Sequence, residues 1–136
     1  MIAVETSLLA GASVLVVDDD PALRALVCAF FERAGCIVGS ASDCAAAEVR
    51  AGAARWQLAV LDVDLPDGNG IELATRLRAL AARPDLPVVF VTGRPDAARR
   101  LRIAGLRGAV LVPKPFASGE LLTAAALMLG NWAPGP

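Results

Sequence analysis

The sequence predicts an α/β protein made of five consecutive βα units, with a parallel sheet covered by helices on both faces. Three observations carry this. Short Val- and Leu-rich segments alternate with helix-compatible segments along the chain. The strongest of the short segments are continuously apolar, the pattern of strands buried on both faces. The connections are brief, and repeated βα alternation with short links gives parallel strands joined by crossover helices. At 136 residues with 56% apolar composition, the chain suits one compact domain with a full core.

The elements follow in order. "SVLVVDD" (13–19) is the first strand. Asp20 is placed to cap the next helix, with Pro21 at its first position. That helix carries Leu23, Leu26, Val27, Phe30, Phe31 and Ala34 on one stripe and ends at Gly35. "CIVGSAS" (36–42) is a weaker strand suited to a sheet edge, and Asp43 caps an Ala-rich helix running to about Ala54. "LAVLDVDL" (58–65) is the third strand. The loop "PDGNG" (66–70) leads to a helix over 71–82, and "LPVVFVTG" (86–93) is the fourth strand. Pro95 and Asp96 open a short helix that stops near Gly105, "GAVLVPKP" (108–115) is the fifth strand, and a last helix over 118–129 is stopped by Gly130. Residues 1–12 read as an N-terminal tail, 13–131 as the domain and 132–136 as a C-terminal tail.

Composition narrows function. Thirteen Lys and Arg against fourteen Asp and Glu give no bulk charge that would draw nucleic acid or an anionic membrane. No apolar run is long enough for a bilayer span, and the N-terminus is a poor signal peptide, so a soluble, cytoplasmic protein is expected. The chain has no histidine, which removes Ser-His and Cys-His catalysis and any phosphohistidine of its own. Cys28, Cys36 and Cys44 are scattered, with no C-x-x-C. They read as small buried hydrophobes in a reducing compartment, not as a zinc site.

Ligands of open α/β sheets sit at the carboxyl ends of the strands, near a switch in strand order. There the first strand brings Asp18 and Asp19, and the third brings Asp62. The fourth ends in Thr92 followed by Gly93, and the fifth in Lys114 followed by Pro115. The second ends in Ser40 and Ser42, which mark nothing special. Each residue alone has an ordinary explanation: a cap, a turn carboxylate, a strand-closing threonine. Together they put three carboxylates, a hydroxyl and an ammonium on one rim. Adjacent carboxylates repel by about 4 kcal/mol at 4 Å and an effective dielectric near 20, so the cluster calls for a hard cation. Mg²⁺ takes a few carboxylate and carbonyl oxygens and shares phosphate oxygens. Lys114 adds a second positive charge, and Gly93 leaves room beside Thr92.

These residues, in "VVDDDPALRALV", "LAVLDVDLPDGNGIEL", "VVFVTG" and "GAVLVPKPF", resemble the receiver domain of two-component response regulators, similar to the single-domain chemotaxis receiver. The resemblance covers about 13–129. It implies a flavodoxin-like (βα)5 fold with strand order 2-1-3-4-5. It implies Asp62 as phosphoacceptor, Asp19 as a direct Mg²⁺ ligand, Asp18 as a ligand through water, and the backbone carbonyl of Asp64 as another. Thr92 becomes the switch hydroxyl, Lys114 the stabiliser of phosphoryl charge with a cis bond to Pro115, and Pro66 the residue shaping the loop. The donor would be a histidine kinase or histidine phosphotransfer protein, with Asp62 attacking phosphorus in line and water later hydrolysing the acyl phosphate. A downstream protein target would read a face made of the fourth helix, fifth strand and fifth helix. That same face is available for a homodimer.

One departure stands out: the family's switch aromatic, three residues before the lysine, is Leu111 here, and the chain has no Tyr. Asp64 and Arg94 flank the implied phosphoryl site and are placed to tune hydrolysis. Arg99, Arg100, Arg102 and Arg107 make the fourth-helix region basic, and read as a solvated helix face. Two alternatives remain. "LAVLDVDLP" resembles the haloacid-dehalogenase phosphatase motif, with Asp62 as nucleophile and Asp64 as acid/base. Against it, Pro66 replaces that family's Thr or Val, and the motif comes on the third strand instead of the first. The other alternative is a receiver fold that serves only as an interaction module. The expectation is a switch that accepts phosphate without being a turnover enzyme.

Overall fold

The computed structural model describes residues 7–131. Five parallel strands form one sheet: β1 (Ser13–Val17), β2 (Ile37–Ala41), β3 (Leu58–Asp62), β4 (Val88–Thr92) and β5 (Ala109–Pro113), in the order β2-β1-β3-β4-β5. The helices between and after them are α1 (Pro21–Arg33), α2 (Cys44–Ala53), α3 (Gly70–Leu80), α4 (Ala97–Ala104) and α5 (Ser118–Asn131). The order reverses between β1 and β3, and in a doubly wound sheet the crevice for a ligand opens there.

β3 and β4 are buried at every position, so their continuous apolar runs follow from helices on both sides. On one face Val14, Val16, Val60, Val89 and Val91 pack with Val27 and Phe31 of α1 and Leu121 and Ala125 of α5. On the other, Leu15, Val17, Leu61 and Phe90 pack with Ala47 of α2, Leu73 and Leu77 of α3, and Ala97 of α4. Alternate residues of each strand thus serve the two helical layers.

The caps form where the sequence places them. The Asp20 carboxylate accepts from the amides of Ala22 and Leu23, and Asp43 from Ala46. Gly35 just past α1 takes a positive φ of 92°, the left-handed geometry that ends a helix.

The structure differs from the sequence reading in four places. Strand three stops at Asp62; Asp64–Leu65 instead pairs antiparallel with Gly68–Asn69, and Pro66 and Asp67 form the turn. Leu26 is 49% exposed, because two buried residues, Val27 and Phe31, already fill the α1 seam. Gly130 does not stop the last helix, which runs through it to Asn131; a glycine costs only about 1 kcal/mol inside a helix. Residues Ser7–Leu9 form a 3-10 turn, and Leu9 is fully buried in the α1/α5 layer, so packing begins ahead of β1. Residues 132–136, expected as a tail, lie outside the described residues.

The cysteines are free thiols, with Cys36 and Cys44 buried and Cys28 half-buried. Burial pushes Cys36 and Cys44 up to about 11 and raises Cys28 as well, so they serve as packing groups, not as thiolates. Among the described residues no helix is long and apolar enough to cross a membrane.

Candidate functional site

The acidic residues meet at the switch point. β1 and β3 are hydrogen-bonded neighbours, with Val17 opposite Leu61, so the residues just beyond Val17 lie beside the end of β3. One carboxylate oxygen each from Asp18, Asp19 and Asp62 lies within 4.8 Å of the others. Asp18 is 2% exposed and Asp62 5%, whereas Asp19 is exposed. Lys114 enters from the end of β5, its Nζ 3.2 Å from Asp62 Oδ2 and 3.5 Å from Asp18 Oδ2. The Lys114 amide donates to the Thr92 carbonyl at 2.8 Å, and the Lys114–Pro115 bond is cis.

Backbone contacts orient the acids. Asp18 Oδ1 accepts from the Asp20 amide at 2.9 Å, and Asp62 Oδ1 from the Asp64 amide at 3.1 Å. Each carboxylate therefore has one oxygen tied to its own loop and the other, Oδ2, turned towards Lys114. Gly70 makes this packing possible: a Cβ there would run into the Asp62 carbonyl oxygen, so only glycine lets α3 start against the end of β3.

Burial pushes the Asp62 carboxyl above the usual carboxylate range, and Asp18 acts in the same direction, against the Asp64 amide and Lys114. Burial alone would lower Lys114, but Asp62 and Asp18 outweigh it and its pKa sits above the usual lysine value. One ammonium thus faces two buried carboxylates, with a third at the rim. Asp18 Oδ2 is buried and accepts no close hydrogen bond; its cationic neighbour is Lys114 at 3.5 Å, which it shares with Asp62, so two buried carboxylates have one ammonium between them. A hard divalent cation among the three acids would satisfy that oxygen, and oxygen-only donors with access to solvent suit Mg²⁺.

Thr92 is 2% exposed at the end of β4, and its Oγ1 accepts from the Arg94 amide at 3.0 Å. The space beside Gly93 is open: a Cβ there would meet nothing within 4 Å. Arg94 forms a bridge that sequence reading does not anticipate. Its guanidinium pairs with Asp64 at 3.1 Å and with Asp96 at 3.2 Å, joining the loop after β4 to the loop after β3. The Asp64 carboxylate is engaged there and points to an arginine, not to the acid trio. Asp96, held by Arg94, makes no side-chain cap for α4.

Two further contacts carry no sequence signal. Arg24 Nη1 donates to the Asp18 carbonyl at 2.8 Å, and the Asp67 carboxylate accepts from the amides of Cys44 and Ala45, fastening the loop after β3 to the start of α2. The basic residues Arg99, Arg102 and Arg107 are exposed and form no ion pair among the described residues. Leu111, at the position where the resemblance expects an aromatic, is half-buried against the α2/α3/α4 layer.

Comparison with known proteins agrees with this geometry. The family model of the response regulator receiver domain matches residues 14–126. The chain is 34% identical over 112 residues to the DNA-binding transcriptional regulator NtrC of Rhizobium meliloti, covering 82% of this chain and 23% of that protein. It is 38% identical over 112 residues to the probable transcriptional regulatory protein TcrX of Mycobacterium tuberculosis, covering 81% and 46%. The chain therefore spans less than half the length of either relative. Among solved structures, the non-phosphorylated HemR receiver domain of Leptospira biflexa superposes with a TM-score of 0.79 at 32% identity, covering 92% of this chain and 99% of that one. Vibrio cholerae chemotaxis protein CheY4 gives a TM-score of 0.79 at 27% identity, covering 88% and 99%.

Proposed function

Because the chain belongs to the response regulator receiver family, we propose that Asp62 is the residue that accepts a phosphoryl group from a partner's phosphohistidine. The observation that carries this is the meeting of Asp18, Asp19 and Asp62 within 4.8 Å, with Lys114 against two of them. Receiver domains bind Mg²⁺ in an acidic pocket. Here Asp18, Asp19 and Asp62 would hold it, with the Asp64 carbonyl as a further donor, and the ion would neutralise charge on the phosphoryl oxygens.

The chain's own groups supply the rest. The Asp64 amide holds one Asp62 oxygen, leaving the other to attack phosphorus in line. Lys114 moves from pairing carboxylates to pairing the developing phosphoryl charge. The Thr92 hydroxyl accepts from the Arg94 amide, so its proton is available for a phosphoryl oxygen. Donation there would draw the loop after β4 inward and alter the α4 face presented to a downstream protein. Acceptance is stoichiometric: the Asp62 oxygen–phosphorus bond forms as the donor's P–N bond breaks and its imidazole leaves, and water later hydrolyses the acyl phosphate. The donor is a histidine kinase or a histidine phosphotransfer protein. We place the receiver unit at 13–131, with Leu9 packed against it.

The test is incubation with acetyl phosphate and Mg²⁺, followed by intact-mass analysis. One added PO₃ per chain is expected, absent in Asp62→Asn and absent with EDTA. No adduct from either acetyl phosphate or a phosphohistidine donor defeats the reading. Multiple turnover of a phosphomonoester would favour a phosphatase instead.

A further inference from the structure

We propose that Arg24 is a positioning residue that aims Asp19 into the acidic pocket, so that Mg²⁺ affinity depends on its hydrogen bond to the Asp18 carbonyl. The proposal rests on the reading of Asp18, Asp19 and Asp62 as a Mg²⁺ site.

Successive side chains of an extended strand point to opposite faces. Asp18 and Asp19 are successive, yet both contribute an oxygen to the same cluster. The backbone must therefore leave strand geometry just after β1, which ends at Val17. Two hydrogen bonds hold that departure. The Asp20 amide donates to Asp18 Oδ1 at 2.9 Å, which fixes the peptide between Asp19 and Asp20. Arg24 Nη1 donates to the Asp18 carbonyl oxygen at 2.8 Å, which fixes the peptide between Asp18 and Asp19.

Asp19 thus sits between two pinned peptides. Its own side chain is exposed and makes no hydrogen bond or ion pair among the described residues. The backbone therefore sets its Cα–Cβ direction, with no side-chain contact among the described residues to correct it. Arg24 is well placed to hold that backbone. It lies in the first turn of α1, where its amide bonds the Asp20 carbonyl at 2.8 Å and Asp20 caps the helix. The guanidinium therefore springs from a fixed base and joins α1 to the turn ahead of it.

Charge and position make opposite forecasts. As a cation near a cation site, Arg24 would weaken Mg²⁺ binding, and its removal would tighten it. As a positioning group, its removal loosens Asp19 and weakens binding. Loss of a hydrogen bond that orients a ligand typically costs 10–100-fold in metal affinity, and we expect about tenfold here because only one of three acids is misaimed.

The experiment is calorimetric titration of the whole chain with MgCl₂, with thermal melting in EDTA as a separate reading of the fold. Arg24→Met keeps the apolar stem and removes the donors; it should bind Mg²⁺ about tenfold more weakly. Arg24→Lys keeps one donor on a similar stem and should return to within about threefold of the parent. Arg24→Ala gives a second donor-free chain should the Met variant fail to fold, and Asp19→Asn marks the floor. Donor-free variants that bind Mg²⁺ as well as the parent or better overturn the proposal, as does a lysine variant no better than methionine. A parent chain that binds no Mg²⁺ overturns the metal-site reading itself, which the variants then cannot rescue.

Discussion

Replacing Lys114 with methionine removes the cation that, among the described residues, faces two buried carboxylates. Its Nζ lies 3.2 Å from Asp62 Oδ2 and 3.5 Å from Asp18 Oδ2. At an effective dielectric of about 20, each attraction amounts to about 5 kcal/mol. Much of that is offset by the water stripped from the three groups, and breaking one partner of a buried pair leaves a net loss of about 3–5 kcal/mol. The Lys114 side chain is 25% exposed, so solvent screens part of the interaction and the expected loss is about 2–3 kcal/mol. The deficit should be largest in EDTA. Saturating Mg²⁺ should shrink it, because a divalent ion among the same acids supplies the missing positive charge. Urea unfolding of both proteins, with EDTA and with MgCl₂, reads this directly. A Lys114→Met protein as stable as the parent in EDTA, or one whose deficit ignores Mg²⁺, would refute the argument that these carboxylates await a cation.

Asp62→Asn should flatten the pH dependence of the metal-free protein. Burial raises the folded-state pKa of Asp62, so its contribution to stability is full below the unfolded value near about pH 4 and is lost as pH rises through the folded value; melting temperatures across that window should fall more steeply for the parent than for the variant. Gly70→Ala should cost about 1–3 kcal/mol by overpacking, since the new methyl meets the Asp62 carbonyl, and should slow phosphorylation in the same protein; an unchanged unfolding midpoint would show that α3 can retreat freely. In amide hydrogen exchange, α4 should exchange faster than α1 and α3, because α4 lacks a side-chain cap bond and only Ala97 of its described side chains is fully buried; equal protection would contradict that ranking.

Patterns that recur along the chain made the fold readable. The apolar runs of β1, β3 and β4 have no polar alternation, so they had to be buried on both faces, and the capping aspartates Asp20 and Asp43 marked helix starts by chemistry that needs no tertiary context. The acid trio was readable for the same reason: in this sheet order, residues at the ends of β1 and β3 are neighbours whatever else the chain does. Contacts set by side-chain reach were not readable. The Arg94 bridge to Asp64 spans 30 residues, and Asp67 meets the α2 amides from 22 and 23 residues away; neither spacing carries a period. The short ribbon at 64–69 leaves no mark in the sequence, because two-residue strands have no pattern to detect. Leu26 misled because a helical stripe shows which face is apolar, not how wide a seam the sheet leaves for it.

The site divides into parts that are held and parts that are free. Asp18 and Asp62 are each fixed by a backbone amide, and Gly70 lets α3 press against the β3 end. Among the described residues α4 has no side-chain cap bond, and the loop entering it is held by the exposed Arg94 bridge to Asp64 and Asp96. The carboxylate that would cap it, Asp96, is drawn away to Arg94, and the residue behind it on β5 is Leu111, which has no polar group to anchor a loop. If Asp62 accepts a phosphoryl group as proposed, the group would sit between acids tied to the backbone and a helix that lacks a side-chain cap, and α4 is the element expected to respond. With leucine where the resemblance expects an aromatic, the contact on offer is packing: Leu111 rests against the same apolar layer as Ala97 and Leu101 of α4. On the proposed function, a change at Thr92 would reach α4 through that layer, so a substitution that alters the volume at Leu111 should change the response more than one that alters only its polarity.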